Sequence, residues 1–108
     1  MGKSIDIRQM RVAVRHGKIE WQRHALERMA ERGILRGEVK EALLNGELIE
    51  CYPGDYPLPS GLFMTNIDKR PLHVVAAYNS VTDTVYVITV YIPSLKYFEP
   101  DLKTRRTR

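Results

Sequence analysis

The sequence predicts a single α+β domain, in which N-terminal helices pack on one face of a mostly antiparallel sheet of about four strands. Two observations indicate this fold. The first half of the chain repeats apolar residues at helical spacing, whereas the second half contains short runs rich in β-branched and aromatic residues. Helical segments followed by strand segments are typical of α+β domains. The 108 residues are enough for one modest core and too few for two.

Three helices are predicted in the first half of the chain. They cover residues 4–15, 22–31 and 38–45. On the first helix, Ser4 is the expected N-cap, and Ile7, Met10 and Val14 form one buried stripe. Each helix is followed by a glycine, which commonly ends a helix because it adopts a left-handed backbone without strain. These glycines are Gly17, Gly33 and Gly46.

Four strands are predicted in the second half. They cover residues 48–52, 62–67, 72–78 and 85–92. The segments 68–71 and 79–83 are short enough to be hairpin loops. Residues 53–60 contain three prolines, which exclude regular structure and predict a stiff, extended surface loop. Cys51 lies in the first of these strands and is expected to be a small core residue.

The second predicted helix carries the strongest candidate for chemistry. Its apolar face consists of Ala25, Leu26, Met29 and Ala30. His24 points away from that face, Arg28 lies one turn beyond His24, and Arg32 one turn beyond Arg28. A histidine beside guanidinium groups can move a proton and hold a phosphate. The alternative is an exposed histidine on a solvated face, where Glu27 and Glu31 form ion pairs with neighbouring arginines.

Two strand residues are further candidates. His73 begins a β-run and shares a face with Val75, so it is either a half-buried histidine bonded to backbone or a catalytic group. Tyr91 is expected to share a face with Thr89 and Val87 at the end of the last strand. Its hydroxyl could orient a phosphate or its ring could stack on a base, although strand tyrosines often only pack.

The charge is concentrated at the C-terminal end. The formal net charge is +4, and from Asp101 onward four basic residues stand against that one acid. These basic residues are Lys103, Arg105, Arg106 and Arg108. A basic tail over about residues 97–108 is compatible with a polyanionic partner, and it could equally be a solubilising or disordered extension.

Other function classes are less compatible with the sequence. No apolar run approaches the roughly 20 residues that cross a bilayer, and the first residues lack the apolar core of a signal peptide. The single cysteine, Cys51, cannot form an internal disulfide, so we expect a cytoplasmic protein. The histidines and Cys51 do not have the spacing of metal ligands, so we expect neither a metal nor another cofactor.

An ordered set of short motifs extends over about residues 19–106. It consists of His24-Ala25, Arg28-Met29, Arg32-Gly33-Ile34, Gly46-Glu47, Ile49-Glu50, Tyr52-Pro53, Asp55, Pro57, Pro59-Ser60, Arg70-Pro71-Leu72-His73-Val74-Val75, Thr89-x-Tyr91-x-Pro93, Glu99-Pro100-Asp101 and Arg105-Arg106. With this set the chain resembles a small bacterial family of unknown function. Members of that family are similar to the RelE-like toxins, which are compact α+β ribonucleases, and are often encoded beside zinc-finger antitoxins.

The resemblance implies the toxin of a type II toxin–antitoxin module, a metal-independent endoribonuclease that cleaves mRNA, free or on the ribosome. Such cleavage needs a base for the 2′-hydroxyl proton, an acid for the leaving oxygen and positive charge at the phosphate. The expected catalytic residues are His24, Arg28, His73 and Tyr91, and the expected substrate-binding residues are Arg32, Lys96, Arg105 and Arg106. The expected partners are RNA and a zinc-finger antitoxin. The alternatives are a non-catalytic module that binds nucleic acid or protein, and a degenerate, inactive toxin.

Overall fold

The computed structural model describes residues 5–107. In chain order its elements are α1 (Ile7–Arg15), β1 (Ile19–Trp21), α2 (Arg23–Arg32), α3 (Arg36–Asn45), β2 (Glu47–Tyr52), β3 (Ser60–Ile67), β4 (Arg70–Asn79) and β5 (Thr84–Tyr91). The α+β prediction is confirmed, since α1 to α3 precede a mostly antiparallel sheet. The predicted element bounds agree with these within two residues, except at the start of α1.

The sheet has five strands in the order β1-β5-β4-β3-β2, one more than the sequence predicts. The four predicted strands form an antiparallel meander. The additional strand, β1, pairs in parallel with β5 and places Ile19 opposite Val85 and Trp21 opposite Val87. Its three residues are too few to show an alternating pattern, so only the pairing with β5 identifies them as a strand.

Local capping hydrogen bonds determine where α1 and α3 begin. The predicted N-cap Ser4 lies outside the described residues, and the prediction that the first helix already includes Asp6 is wrong. Asp6 is extended and is itself the N-cap, because its carboxylate accepts a hydrogen bond of 3.1 Å from the backbone N–H of Gln9. α3 begins two residues earlier than predicted, where Glu38 accepts a hydrogen bond of 2.9 Å from the backbone N–H of Leu35.

The core lies between the helices and one face of the sheet. Its fully buried residues include Met10, Ala13, Ala25, Val39, Leu43, Phe63, Val74, Ala76, Val87 and Val90. Two apolar residues are not where the pattern predicts. Ala30 is exposed, because the stripe of α2 that packs on the core consists of Ala25, Leu26 and Met29. Cys51 is exposed as well, because β2 is an edge strand and the helices pack on β3, β4 and β5.

A β-bulge decides which side chains of β5 face the core. Val75 pairs with Thr89 and Ala76 pairs with Val87, so Ile88 is an extra residue between them. The prediction that Val87 shares a face with Thr89 and Tyr91 is therefore wrong. Val87 is buried under the helices, whereas Thr89 and Tyr91 lie on the opposite face. A bulge reverses the alternation of a strand, and sequence periodicity alone does not reveal its position.

The face of the sheet that points away from the helices, called the open face here, carries the candidate site residues of β4 and β5. The C-terminal segment, residues 93–107, folds back over one end of this face. Phe98 and Arg105 form an isolated β-bridge within this segment, and the Phe98 side chain is buried. Among residues 5–107 no helix is both long and apolar enough to span a bilayer.

Candidate functional site

His24 stands at the beginning of α2, beside the border of the open face. Gln22 is the N-cap and α2 begins at Arg23, so His24 is the second helical residue. Ala25 and Met29 are buried while His24 is exposed, which confirms that His24 points away from the apolar face. The imidazole Nε2 lies 3.0 Å from the hydroxyl oxygen of Thr89 on β5. The packing of α2 on β5 thus brings together two residues that are 65 positions apart.

His24 borders a groove with a volume of about 770 Å³. The first turn of α2, the open face and the proline-rich loop 53–59 enclose this groove. Its lining is mostly apolar and aromatic, and includes Tyr56, Leu58, Ala77, Tyr86 and Ile88 beside Arg23 and His24. A concave, mostly apolar surface with a few polar groups at one end is typical of a ligand site. The sequence analysis did not predict the groove, because its walls come from four separate segments.

Two of the three arginines of α2, Arg23 and Arg28, form ion pairs along the exposed side of the helix. A distance of 2.9 Å separates Arg28 Nη1 from Glu31 Oε1, and 3.5 Å separates Arg23 Nε from Glu27 Oε2. The expected ionic face is therefore confirmed. Arg28 and Arg32 do not belong to the groove lining found among the described residues. Exposed pairs of this kind contribute little stability, so a phosphate can compete for their guanidinium groups at small cost.

His73 is fully buried on the open face, beneath the C-terminal segment. A distance of 2.7 Å separates its Nε2 from the carbonyl oxygen of Leu102, and 3.2 Å separates its Nδ1 from the hydroxyl of Tyr91. A carbonyl oxygen can only accept, so Nε2 carries the proton and donates, and Nδ1 accepts from Tyr91. Burial lowers the pKa of His73 and raises the pKa of Tyr91. Both groups are thus kept neutral.

This geometry matches the first of the two interpretations of His73, a histidine bonded to backbone, although it is fully rather than half buried. The rings of Phe98 and Tyr91 pack against the imidazole at centroid distances of 4.7 Å and 5.2 Å. His73 therefore anchors the C-terminal segment. It does not stand beside His24 in the groove, whose lining among the described residues includes neither His73 nor Tyr91.

Three basic residues of the C-terminal segment, Lys103, Arg105 and Arg106, are paired with acids. Ion pairs join Lys103 to Glu47, at 2.7 Å, and Arg106 to Glu99, at 3.3 Å. The guanidinium of Arg106 also donates to the carbonyl oxygen of Leu95. The predicted tail is therefore neither an extension without contacts nor a row of unpaired cations over residues 97–107. Arg108 lies outside the described residues.

Three of the predicted substrate-binding residues do come together. Lys96, Arg105 and Arg106 border a second, smaller cavity of about 330 Å³, together with Tyr97 and Thr107. The Lys96 ammonium lies 5.3 Å from the ring centre of Tyr97, a cation–π distance. The structure thus separates the predicted site residues into three groups, one on α2, one around His73 and one around this cavity.

A further polar cluster on the open face was missed by the sequence analysis. It consists of Glu50 and Tyr52 from β2 with Arg105 from the C-terminal segment. Arg105 Nε lies 3.0 and 3.1 Å from the two carboxylate oxygens of Glu50, and the Tyr52 hydroxyl donates to the same carboxylate. Burial raises the pKa of Tyr52, and its hydrogen bond to Glu50 adds to this effect. The available signal was the i, i+2 spacing of Glu50 and Tyr52, which places both on one face of a strand.

The fold and the groove define a small α+β domain with an exposed histidine at one border of an open sheet face. The chain belongs to the family described as a domain of unknown function, DUF4258, whose sequence model matches residues 21–92. This match confirms the resemblance to a family of unknown function, and it includes His24, His73 and Tyr91 but not the C-terminal segment. Neither the curated proteins nor the solved structures contain a significant match to the chain.

Proposed function

We propose that this chain is a metal-independent endoribonuclease that acts as the toxin of a toxin–antitoxin pair, with His24 as its proton-transfer group. One observation carries the proposal. The His24 imidazole is exposed at the end of a groove and is oriented by a hydrogen bond to Thr89 rather than lying loose on the helix surface. An oriented histidine beside a concave surface meets the geometric requirement for general acid–base catalysis.

The proposed chemistry uses the 2′-hydroxyl of the RNA as the nucleophile. The proposal requires the tautomer in which His24 Nε2–H donates to the Thr89 hydroxyl, 3.0 Å away, so that the unprotonated Nδ1 accepts the 2′-hydroxyl proton. The 2′-oxygen forms a bond to phosphorus as the bond to the 5′-oxygen breaks. Water in the open groove protonates the leaving 5′-oxygen, and the hydroxide that this leaves takes the proton from His24, which restores the neutral imidazole. The products are a 2′,3′-cyclic phosphate and a 5′-hydroxyl, and no metal takes part.

Positive charge for the phosphate comes from the same helix. Arg23 precedes His24 directly, and Arg28 lies one turn beyond it. Their carboxylate partners are exposed glutamates of the same helix, so a phosphate can replace these partners in a forked hydrogen-bond arrangement. In this proposal His73 and Tyr91 support catalysis by holding the end of β5, the strand that also carries Thr89. Lys96, Arg105 and Arg106 bind the RNA backbone farther along.

The test is cleavage of a labelled single-stranded RNA in EDTA, with and without added ribosomes. We expect His24→Ala to lower the cleavage rate by about 100-fold or more, the usual contribution of a general base. A substrate with a 2′-deoxy nucleotide at the cleaved position should be resistant. His16→Ala, which removes another exposed histidine, is the matched control. Cleavage that needs a divalent metal, or that His24→Ala leaves unchanged, would contradict the proposal.

A second candidate function is a non-catalytic RNA-binding module. The observation that favours it is that, among residues 5–107, the groove lining holds a single imidazole, that of His24, while three basic residues meet at the second cavity. In that case His24→Ala would leave RNA affinity unchanged and no sample would cleave. Arg106→Ala would weaken binding equally for all sequences and would reduce the salt dependence of the affinity.

The zinc-finger antitoxin belongs to the proposal as the inhibiting partner, and a cytoplasmic location belongs to it as well. The antitoxin is supported by the resemblance of the motifs, and the location by the single cysteine, Cys51. Co-expression with a neighbouring zinc-finger protein should relieve growth inhibition and give a complex that purifies as one species. Growth inhibition that persists beside such a protein, with no complex formed, would contradict this part of the proposal.

A further inference from the structure

We propose that the groove beside His24 is a nucleobase site, in which Tyr56 and Tyr86 stack against one unpaired base of an RNA strand. The inference deepens the proposed function, because the strand held here is the one that His24 would cleave. It names the substrate class as single-stranded RNA with a splayed base. The site itself is a binding site, and it can be measured whether or not cleavage occurs.

The two tyrosines lie on different walls of the groove. Tyr86 belongs to β5 and pairs with Ala77 on the open face, where the small alanine leaves space beside the ring. Tyr56 belongs to the proline-rich loop, and its side chain is 95% exposed. Single-stranded RNA is commonly recognised by bases that stack on aromatic side chains. An almost fully exposed tyrosine facing a groove provides such a surface.

The groove has the size and the lining for a base. Its volume of about 770 Å³ falls in the range of small-molecule sites. Ile88, which the β-bulge makes an extra residue on β5, is 37% exposed, and Leu58 is half-buried. These apolar side chains can pack against the two faces of a planar ring bound in the groove. The aromatic and apolar parts of the groove thus suit the base rather than the sugar-phosphate backbone.

The charges at the mouth of the groove suit the backbone of the same strand. Arg23 precedes His24 in the groove lining, its side chain is 93% exposed, and a phosphate can replace its exposed partner Glu27, 3.5 Å away. The acidic residue of the lining, Asp55, accepts a hydrogen bond of 2.5 Å from the Ser60 hydroxyl, so one of its carboxylate oxygens is already bonded within the protein. An apolar groove with a cation at its mouth, in a chain of net charge +4, is complementary to a base joined to a phosphate.

The experiment measures binding with a probe that cannot be cleaved. A fluorescein-labelled single-stranded 2′-O-methyl oligoribonucleotide, which lacks a free 2′-hydroxyl, is titrated with the full chain and followed by fluorescence anisotropy. A second oligonucleotide of the same length has abasic sites in place of its bases. We expect Tyr56→Ala to weaken binding of the intact oligonucleotide by about 5- to 100-fold, the usual effect of removing one stacking partner.

The controls separate stacking from folding. Tyr56→Phe keeps the ring and should retain most of the affinity. Leu35→Ala truncates another exposed apolar side chain, 69% exposed and outside the groove lining, and should leave the affinity unchanged. The wild-type chain should prefer the intact oligonucleotide over the abasic one, and Tyr56→Ala should abolish that preference. Tyr86→Leu should have the same effect as Tyr56→Ala.

Two results would overturn the inference. One is a wild-type chain that binds intact and abasic oligonucleotides equally, and the other is a Tyr56→Ala variant that still prefers the intact one. In either case the groove does not bind a base. The alternative ligand of the groove is then a segment of a protein. Because the probe resists cleavage, a chain without ribonuclease activity can still support the base site. A chain that cleaves RNA without preferring bases would refute the base site alone.

Discussion

His73 Nε2 lies 2.7 Å from the carbonyl oxygen of Leu102, which joins the middle of β4 to a segment 29 residues farther along the chain. The same ring accepts from Tyr91 through Nδ1 and packs edge-on against Phe98. Both polar atoms of a fully buried imidazole are thus satisfied by partners from two other segments. Since each partner is long-range, this residue contributes to the docking of the C-terminal segment on the sheet.

We expect His73→Phe to destabilise the protein. Phenylalanine keeps a planar ring among the same neighbours, but it leaves the Tyr91 hydroxyl and the Leu102 carbonyl without their partner. Losing two buried hydrogen bonds should lower the free energy of unfolding by about 2 kcal/mol. Urea denaturation followed by circular dichroism measures this change. The exposed His16, replaced in the same way, should change the free energy by less than about 0.5 kcal/mol, and equal effects at both positions would contradict the assignment.

The stability should depend on pH through His73. Burial lowers its pKa in the folded state below the ordinary value of 6.5, so on acidification the unfolded chain takes up this proton first. The unfolded state then binds more protons, and the free energy of unfolding falls as the pH decreases below about 6.5. We expect the urea midpoint to decrease over that range in the wild-type chain and to decrease less in His73→Phe. Identical pH profiles for the two chains would refute the link.

Tyr78 should be slow to ionise. Its hydroxyl donates to Asp83 Oδ1 at 2.5 Å, and this hydrogen bond to a carboxylate, together with burial, raises the pKa of Tyr78 to about 12. The chain has six tyrosines, so the difference in tyrosinate absorbance between the wild-type chain and Tyr78→Phe in an alkaline titration measures this value. Asp83→Asn keeps a residue that tolerates the positive φ of 55° and removes the charge. The pKa of Tyr78 should then fall toward its ordinary value of 10, and an unchanged titration curve would argue against the carboxylate as the cause.

Two glycines at opposite ends of α3 should respond oppositely to alanine. A Cβ atom at Gly46 would meet the backbone oxygen of Met64 at 2.7 Å, so Gly46→Ala forces the backbone apart and should cost about 2 kcal/mol. Gly37 lies in α3 with no atom within 4 Å of an added Cβ. Gly37→Ala should stabilise the protein by up to about 1 kcal/mol, because alanine loses less freedom in a helix. Thermal unfolding of both variants gives the comparison.

Thr89 should matter for cleavage although it need not touch the RNA. Its hydroxyl lies 3.0 Å from His24 Nε2 and orients the ring. Under the proposed function, Thr89→Val should lower the cleavage rate by about tenfold, a part of the roughly 100-fold or more that a general base contributes. Thr89→Ser retains the hydroxyl and should retain most of the rate. A serine variant as slow as the valine variant would indicate that the methyl group, and not the hydrogen bond, is what matters.

Local signals were sufficient for most of the fold and for part of the site. α2 ends at Gly33, as predicted, because this glycine adopts a left-handed backbone at the C-cap. The exposure of His24 followed from the helical spacing of Ala25 and Met29. The strand β1 was missed because three residues carry no period of their own.

The face of Val87 was predicted wrongly for a different reason. The bulge at Ile88 reverses the alternation of β5, and its position is set by the pairing of β5 with β4. The groove and the cluster of Glu50, Tyr52 and Arg105 also join segments that are distant in the chain. No pattern within one segment indicates which distant segment it will meet.

By itself, the sequence determined the α+β class, the three helices, the antiparallel meander and a histidine on the polar side of a short helix, because periodicity and end signals are local properties. Only the tertiary structure decided that His24 meets Thr89, that His73 is buried under Leu102, and that the C-terminal basic residues are paired. Those relationships depend on strand register and on how the chain folds back on itself. They are set by burial and by hydrogen bonds between residues that are far apart in the sequence. The residues next to a side chain in the sequence do not indicate which distant residue it will contact.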